Sequence, residues 1–252
     1  MSETRPKICC LSGNILKIIA AISMLIDHVG VMFFPSFKIF RILGRLAFPI
    51  FAFMIAEGCR YTKNRLRYFL TVLIMGITYA AVFYLYSGTL YFSILTTFTL
   101  SIMMTFALQE FKESLFDPNA RIQKRVLTGI AFVLSVALSV VLDIYFKIDY
   151  GIVGCITPVL VSAFHSPKNN SSKLFNTLDR LEWQVLGLSV GIALLYLVYG
   201  GVRIYSFLAI PLLLLYSGKR GKWKMKYFFY VFYPAHLLAL EGLYMLLKII
   251  RG

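Results

Sequence analysis

Two of the chain's three histidines, His28 and His236, sit inside long apolar runs, ISMLIDHVGVMFF and YFFYVFYPAHLLALEGLY. Neutral imidazole titrates near neutrality and can move protons. An ionisable group at the centre of a bilayer helix costs about 2.5–3.5 kcal/mol on insertion scales, so it is kept where a partner, a wet cavity or a function offsets that cost. Asp27 directly precedes His28, Arg41 and Arg45 sit in FRILGRLAFPIFAF, and Glu57 closes that second run. Consecutive helical residues point about 100° apart, so Asp27 is badly placed to orient the imidazole beside it. It is instead within reach of Arg41 or Arg45, which are four residues apart and share a face. Such a pair by itself is a structural device that docks two helices. With a histidine beside it, the group supports general-base chemistry: imidazole takes a proton from an attacking amine or hydroxyl, and Arg45 or an uncharged donor steadies an oxyanion.

Other residues extend this constellation. Lys17 precedes His28 by eleven residues, which is about 20° around a helix and about 16 Å along it. Ala20, Ala21 and Met24 lie between them and form a stripe of small or pliable side chains. Tyr233 precedes His236 by three residues, and Pro234 is expected to kink that run. His165 lies beside Pro167 at the edge of an apolar run, and Glu241 follows His236 by about a turn; neither is given a role. The loop GKRGKWKMK, 218–226, carries Lys219, Arg220 and three further lysines. It reads as a topological anchor or as a lip that binds phosphate. There is no Walker loop, no Gly-x-Gly-x-x-Gly and no Gly-x-Ser-x-Gly elbow, which argues against an ATP-driven pump or a serine hydrolase. Cys9, Cys10, Cys59 and Cys155 form no Cys-x-x-Cys pair and have no histidine at ligand spacing, so no metal is expected.

The elements that position these residues follow from composition. The 252 residues are 59% hydrophobic and 15% charged, with mean hydropathy +0.77. Ordinary soluble domains are about 45–50% apolar and about 25% charged. A disordered chain, a disulfide-stapled secreted domain and a soluble nucleic-acid binder are excluded. The expectation is an all-α, polytopic integral membrane bundle, one domain over 1–252, lodged as a multi-pass protein in the cell membrane. Nine apolar runs are long enough or nearly so to span a bilayer of roughly 30 Å: 15–35, 39–58, 68–87, 91–110, 126–146, 150–166, 183–200, 203–217 and 227–248. The weakest are 150–166 and 203–217, which are short and hold Pro158 and Pro211, so the count ranges from eight to ten. The start of the chain has no small-residue cleavage site and does not read as a signal peptide.

Basic residues orient the bundle. With the N-terminus in the cytoplasm, 19 of the 26 lysines and arginines fall on inner segments. They are Arg5, Lys7 and Lys17; Arg60, Lys63, Arg65 and Arg67; Lys112, Arg121, Lys124 and Arg125; Lys168, Lys173 and Arg180; and Lys219, Arg220, Lys222, Lys224 and Lys226. This is the bias that sets membrane topology, and it accounts for the net charge of +15 without nucleic acid.

The strings LKIIAAISMLIDHVGVMFFP, FRILGRLAFPIFAFMIAEGCRYTKNRLRY, TTFTLSI, DYGIVGCITP and LLLLYSGKRGKWKMKYFFYVFYPAHLLAL resemble the TraX family, in the same order, over about residues 15–245. That family is named for a conjugation protein that acetylates the N-terminus of F pilin. It is related to membrane acyltransferases in which a histidine is the base. The resemblance carries over onto Asp27, His28, Gly44, Arg45, Pro49, Glu57 and His236. It implies an integral membrane acyltransferase with acetyl-CoA or another acyl-CoA as co-substrate. The acceptor would be an amine or hydroxyl on a protein N-terminus, a saccharide or a small molecule. Asp27, His28 and Arg45 would serve catalysis, with either His28 or His236 as base. Lys17, Arg41, Glu57, Tyr233, His236, Lys219 and Arg220 would bind substrate. On that reading Lys17 and the basic inner loops hold the CoA phosphates and the stripe from Lys17 to His28 lines the pantetheine arm. The alternative is a transporter or channel that uses the same Asp, His and Arg cluster as a proton or ion relay.

Overall fold

The computed structural model describes residues 10–167, 173–222 and 226–251. Arg5, Lys7, Cys9, Lys168 and Lys224 lie outside these residues. The regular elements are helical: α1 (Gly13–Phe33), α2 (Lys38–Gly44), α3 (Ala47–Tyr61), α4 (Arg65–Ser87), α5 (Ile94–Phe116), α6 (Ile122–Phe146), α7 (Gly151–Ala163), α8 (Lys173–Leu178), α9 (Leu181–Tyr199), a 3₁₀ helix (Gly201–Leu208), α10 (Ala209–Leu214) and α11 (Lys226–Arg251). Among the described residues seven stretches are long and apolar enough to cross a membrane: α1, Lys38–Tyr61, Arg65–Leu85, α5, α6, α9 and Val231–Ile250. Two shorter apolar helices, Gly151–Ala163 and Gly201–Leu214, occupy the two runs expected to be weakest. The all-α polytopic expectation holds, and a count of nine rests on those two short segments.

Contacts divide the chain into two compact units, Met1–Met54 with Tyr196–Gly252, and Ile55–Leu195. In the first unit, Ser12 caps α1 by accepting from the Ile15 amide. Helix starts leave amides without partners inside the helix. Here the loop before α11 supplies them: Gly13 N–H donates to the Lys219 carbonyl at 2.9 Å and Asn14 N–H to the Arg220 carbonyl at 3.0 Å. Gly221 makes this approach possible. Its φ is +97°, and a Cβ there would come within 2.7 Å of Ser12 Oγ.

The run expected as one span at 39–58 is broken in two. Pro49 cannot donate to the Arg45 carbonyl, and its ring crowds that oxygen. The chain tightens just before it, where Arg45 N–H bonds the Ile42 carbonyl and Leu46 N–H the Leu43 carbonyl. α1 packs on α2, and the Ser23 hydroxyl donates to the Leu43 carbonyl. α11 runs alongside α1 in the same direction, since Lys17 meets Phe229, His28 meets His236 and Phe33 meets Tyr244, in that order. α11 stays helical through Pro234.

In the second unit α5 is the inner helix, and it packs on α4, α6 and α7. The Ser101 hydroxyl donates to the Cys155 carbonyl at 2.8 Å, and Thr97 reaches the Asp149 carbonyl. Asp143 caps α7 by accepting from the Ile152 amide at 2.7 Å. α6 presents Leu127, Val133, Leu134 and Ile144 outward, as a lipid-facing helix does. The polar stretch 166–182, expected to begin as a flexible loop, contains α8, whose Phe175 ring packs 4.4 Å from that of Phe116.

Candidate functional site around His28 and His236

α1 presents Asp27 and His28 to two different neighbours, as their angular separation requires. Asp27 faces α2, where its Oδ2 accepts from Arg41 Nη1 at 3.0 Å and from Arg45 Nη2 at 2.7 Å. Both expected pairings therefore form on one oxygen. Arg45 is buried, whereas the Arg41 side chain is 37% exposed. The carboxylate fits because residue 44 is glycine: a Cβ there would fall 2.3 Å from Asp27 Cβ and Oδ1.

His28 faces α11. Its Nδ1 lies 2.9 Å from the Met24 carbonyl, one turn back on α1. It also lies 3.3 Å from Nε2 of His236. The rings are 5.2 Å apart and tilted by 57°. His236 in turn places its Nδ1 2.7 Å from the Phe232 carbonyl. Phe232 stacks on the His236 ring at 4.8 Å, and Tyr233 meets it edge-on at 5.7 Å. Sequence reasoning placed both histidines deep in spans but left their meeting open. They are 208 residues apart, and no local pattern encodes that contact.

The remaining expected site residues divide. Lys17 holds its Nζ 5.9 Å from the centre of the Phe229 ring. Ala20, Ala21 and Met24, expected to line an acyl-donor arm, are 0%, 3% and 7% exposed. They are packed against protein in this structure. Lys219 and Arg220 lend their carbonyls to the start of α1 and leave their side chains exposed.

Glu57 belongs to the second unit, where Oε1 lies 3.5 Å from Nε2 of His165. His165, given no role from sequence, is buried there, and Lys112 Nζ donates to the Ala163 and His165 carbonyls at 2.6 Å each. Arg60 forms a two-pronged pair with Asp179 at 2.6 and 2.7 Å, and the Gln184 amide donates to Asp179 at 3.0 Å. Sequence reasoning missed this network. Its one local signal was Asp179, an acidic residue beside Arg180 in a stretch that also carries two lysines. Among the described residues no cluster of histidine, cysteine and carboxylate side chains could hold a metal ion.

The family profile described as TraX protein matches residues 12–244, which include every residue of the His28 constellation. The chain belongs to the TraX family. It is 27% identical over 247 residues to the probable fimbrial assembly protein FimC, serogroup H1, of Dichelobacter nodosus, a match covering 92% of this chain and 96% of the relative. It is 34% identical over 84 residues to an uncharacterized protein of Rickettsia prowazekii (strain Madrid E), and that match covers 33% of this chain and 30% of the relative. No solved structure matches.

Proposed function

We propose that this TraX-family protein is a membrane acyltransferase that moves an acetyl or other acyl group from acyl-CoA to an amine or hydroxyl acceptor. The observation that carries the reading is the His28–His236 contact beside a half-buried, doubly paired Asp27. An imidazole held from Nδ1 leaves Nε2 to do chemistry. In the proposed reaction the acceptor's nitrogen or oxygen attacks the thioester carbonyl carbon while Nε2 of His28 takes its proton. The carbon–sulfur bond then breaks, and the leaving thiolate takes that proton back, so the imidazole ends neutral. Positioned proton transfer of this kind is worth about 10²–10⁴-fold. Arg45 is committed to Asp27, so Arg41 is the arginine better exposed to meet an anionic group of a substrate. The similarity to a probable fimbrial assembly protein supports a protein acceptor, a pilin N-terminus being the natural candidate. The plasma or inner membrane is the proposed location.

The test uses purified protein in detergent with acetyl-CoA. CoA release that depends on an added amine-bearing peptide supports the enzyme, and His28→Ala should lower turnover by about 10²-fold or more while the protein stays folded. A His28→Ala protein that turns over at the wild-type rate overturns the mechanism. Two imidazoles in contact inside a membrane protein are also what a proton relay needs. Proton or ion flux in vesicles, without CoA binding, would establish that second reading instead.

A further inference from the structure

The geometry points to His236 as a positioning residue that, together with the Met24 carbonyl, holds the proton of His28 on Nδ1 and orients the ring, leaving Nε2 of His28 the basic nitrogen. This rests on the acyltransferase reading for its kinetic consequence, though not for its structural content.

The assignment follows from where protons must lie. A carbonyl oxygen has no proton, so a ring nitrogen 2.7 or 2.9 Å from one must carry the proton itself; otherwise two lone pairs face each other. Nδ1 of His236 is 2.7 Å from the Phe232 carbonyl, so it is the N–H of that ring. Neutral imidazole has one N–H, which leaves Nε2 of His236 as an acceptor. Nδ1 of His28 is 2.9 Å from the Met24 carbonyl and 3.3 Å from that acceptor. It therefore carries the proton and shares it between the two. Nε2 of His28 is left with the lone pair. The opposite arrangement, with His236 Nε2–H donating to His28 Nδ1, leaves two nitrogen lone pairs aimed at two carbonyl oxygens.

Each link comes from the fold. The Met24 and Phe232 carbonyls are each one turn before their histidine on a continuous helix. Phe232 stacked on one face and Tyr233 against another hold the His236 ring in plane. When His28 accepts a proton at Nε2, its Nδ1–H still points at His236 Nε2. His236 stays neutral and acts as an acceptor for the imidazolium, as an orienting group behind a general base does. The substrate-binding role expected for His236 is replaced by this one.

Two measurements test the assignment. Nitrogen-15 spectra of histidine-labelled wild-type protein at neutral pH should give His28 a protonated Nδ1 and an unprotonated Nε2. Finding Nε2 of His28 protonated overturns the proposal without any substitution. His236→Ala should shift the His28 Nδ1 signal and lower kcat by about 10- to 100-fold with KM unchanged. His236→Gln, whose amide oxygen can accept from His28, should recover part of the loss, which a merely structural role would not predict. His236→Ala with wild-type kcat and unmoved His28 signals overturns the proposal. Should the His28 signals move while wild-type protein transfers no acyl group, the positioning role stands and the acyltransferase reading falls.

Discussion

At the scale of single residues, Asp27 is the hinge of the site. One oxygen serves two arginines, and the buried one is Arg45. Removing one partner of a buried pair typically costs about 3–5 kcal/mol, because the other charge is left without compensation. Asp27→Asn and Arg45→Gln should each destabilise by that order. The double variant should lose clearly less than their sum, and a double-mutant cycle in detergent denaturation measures the difference. Additive losses would show that the two side chains do not depend on each other. Arg41→Gln should cost far less stability, since its side chain is more than a third exposed. Any large loss of turnover in that variant would then come from substrate contact. These residues were readable in advance because charge inside an apolar run is conspicuous. That Asp27 and His28 serve different neighbours was also readable, from the 100° step between them.

At the scale of elements, the α1–α2 contact depends on absent side chains. A methyl at position 44 would sit 2.3 Å from Asp27, and overpacking of this kind costs typically 1–3 kcal/mol. Gly44→Ala should lower thermal stability by that amount and reduce turnover further than the stability loss explains, because Asp27 and the neighbouring His28 ride on the same turn. Gly221→Ala should loosen the loop that caps α1, visible as faster hydrogen exchange at the Gly13 and Asn14 amides. The second unit has its own clamp. Asp179→Asn leaves Arg60 half-compensated and should destabilise by about 3 kcal/mol, checked by thermal melting of the purified protein. Helix positions were legible because apolar run length reports membrane spans directly. The break before Pro49 follows from a residue type visible in the sequence, and the two helices it separates still make up the one span expected there. The pairing of Arg60 with Asp179, and of Glu57 with His165, joins residues more than a hundred apart. No periodicity encodes such partners.

At the scale of the whole molecule, the distribution of basic residues sets a testable orientation. Reporters fused after residues 64 and 222 should give cytoplasmic signal, and those after 88 and 148 the opposite. These positions fall before α4, before α11, after α4 and before α7. Outside signal at both 64 and 222 would reverse the orientation. The parallel course of α1 and α11 agrees with the scheme, because both then begin at the same face. It also agrees with the contact between the Lys219–Arg220 backbone and the start of α1.

The same contact sets a clock. His28 and His236 are made 208 residues apart, and the intervening stretch includes all of Ile55–Leu195. At ribosomal speeds of about 5–20 residues per second, roughly 10–40 s separate the two imidazoles. Throughout that interval the leading amides and the histidine of α1 await partners that do not yet exist, whereas Asp27 has its arginines within 14 and 18 residues. A ribosome that stalls before α11 leaves a chain unable to assemble the histidine pair, so that contact is completed late in membrane insertion.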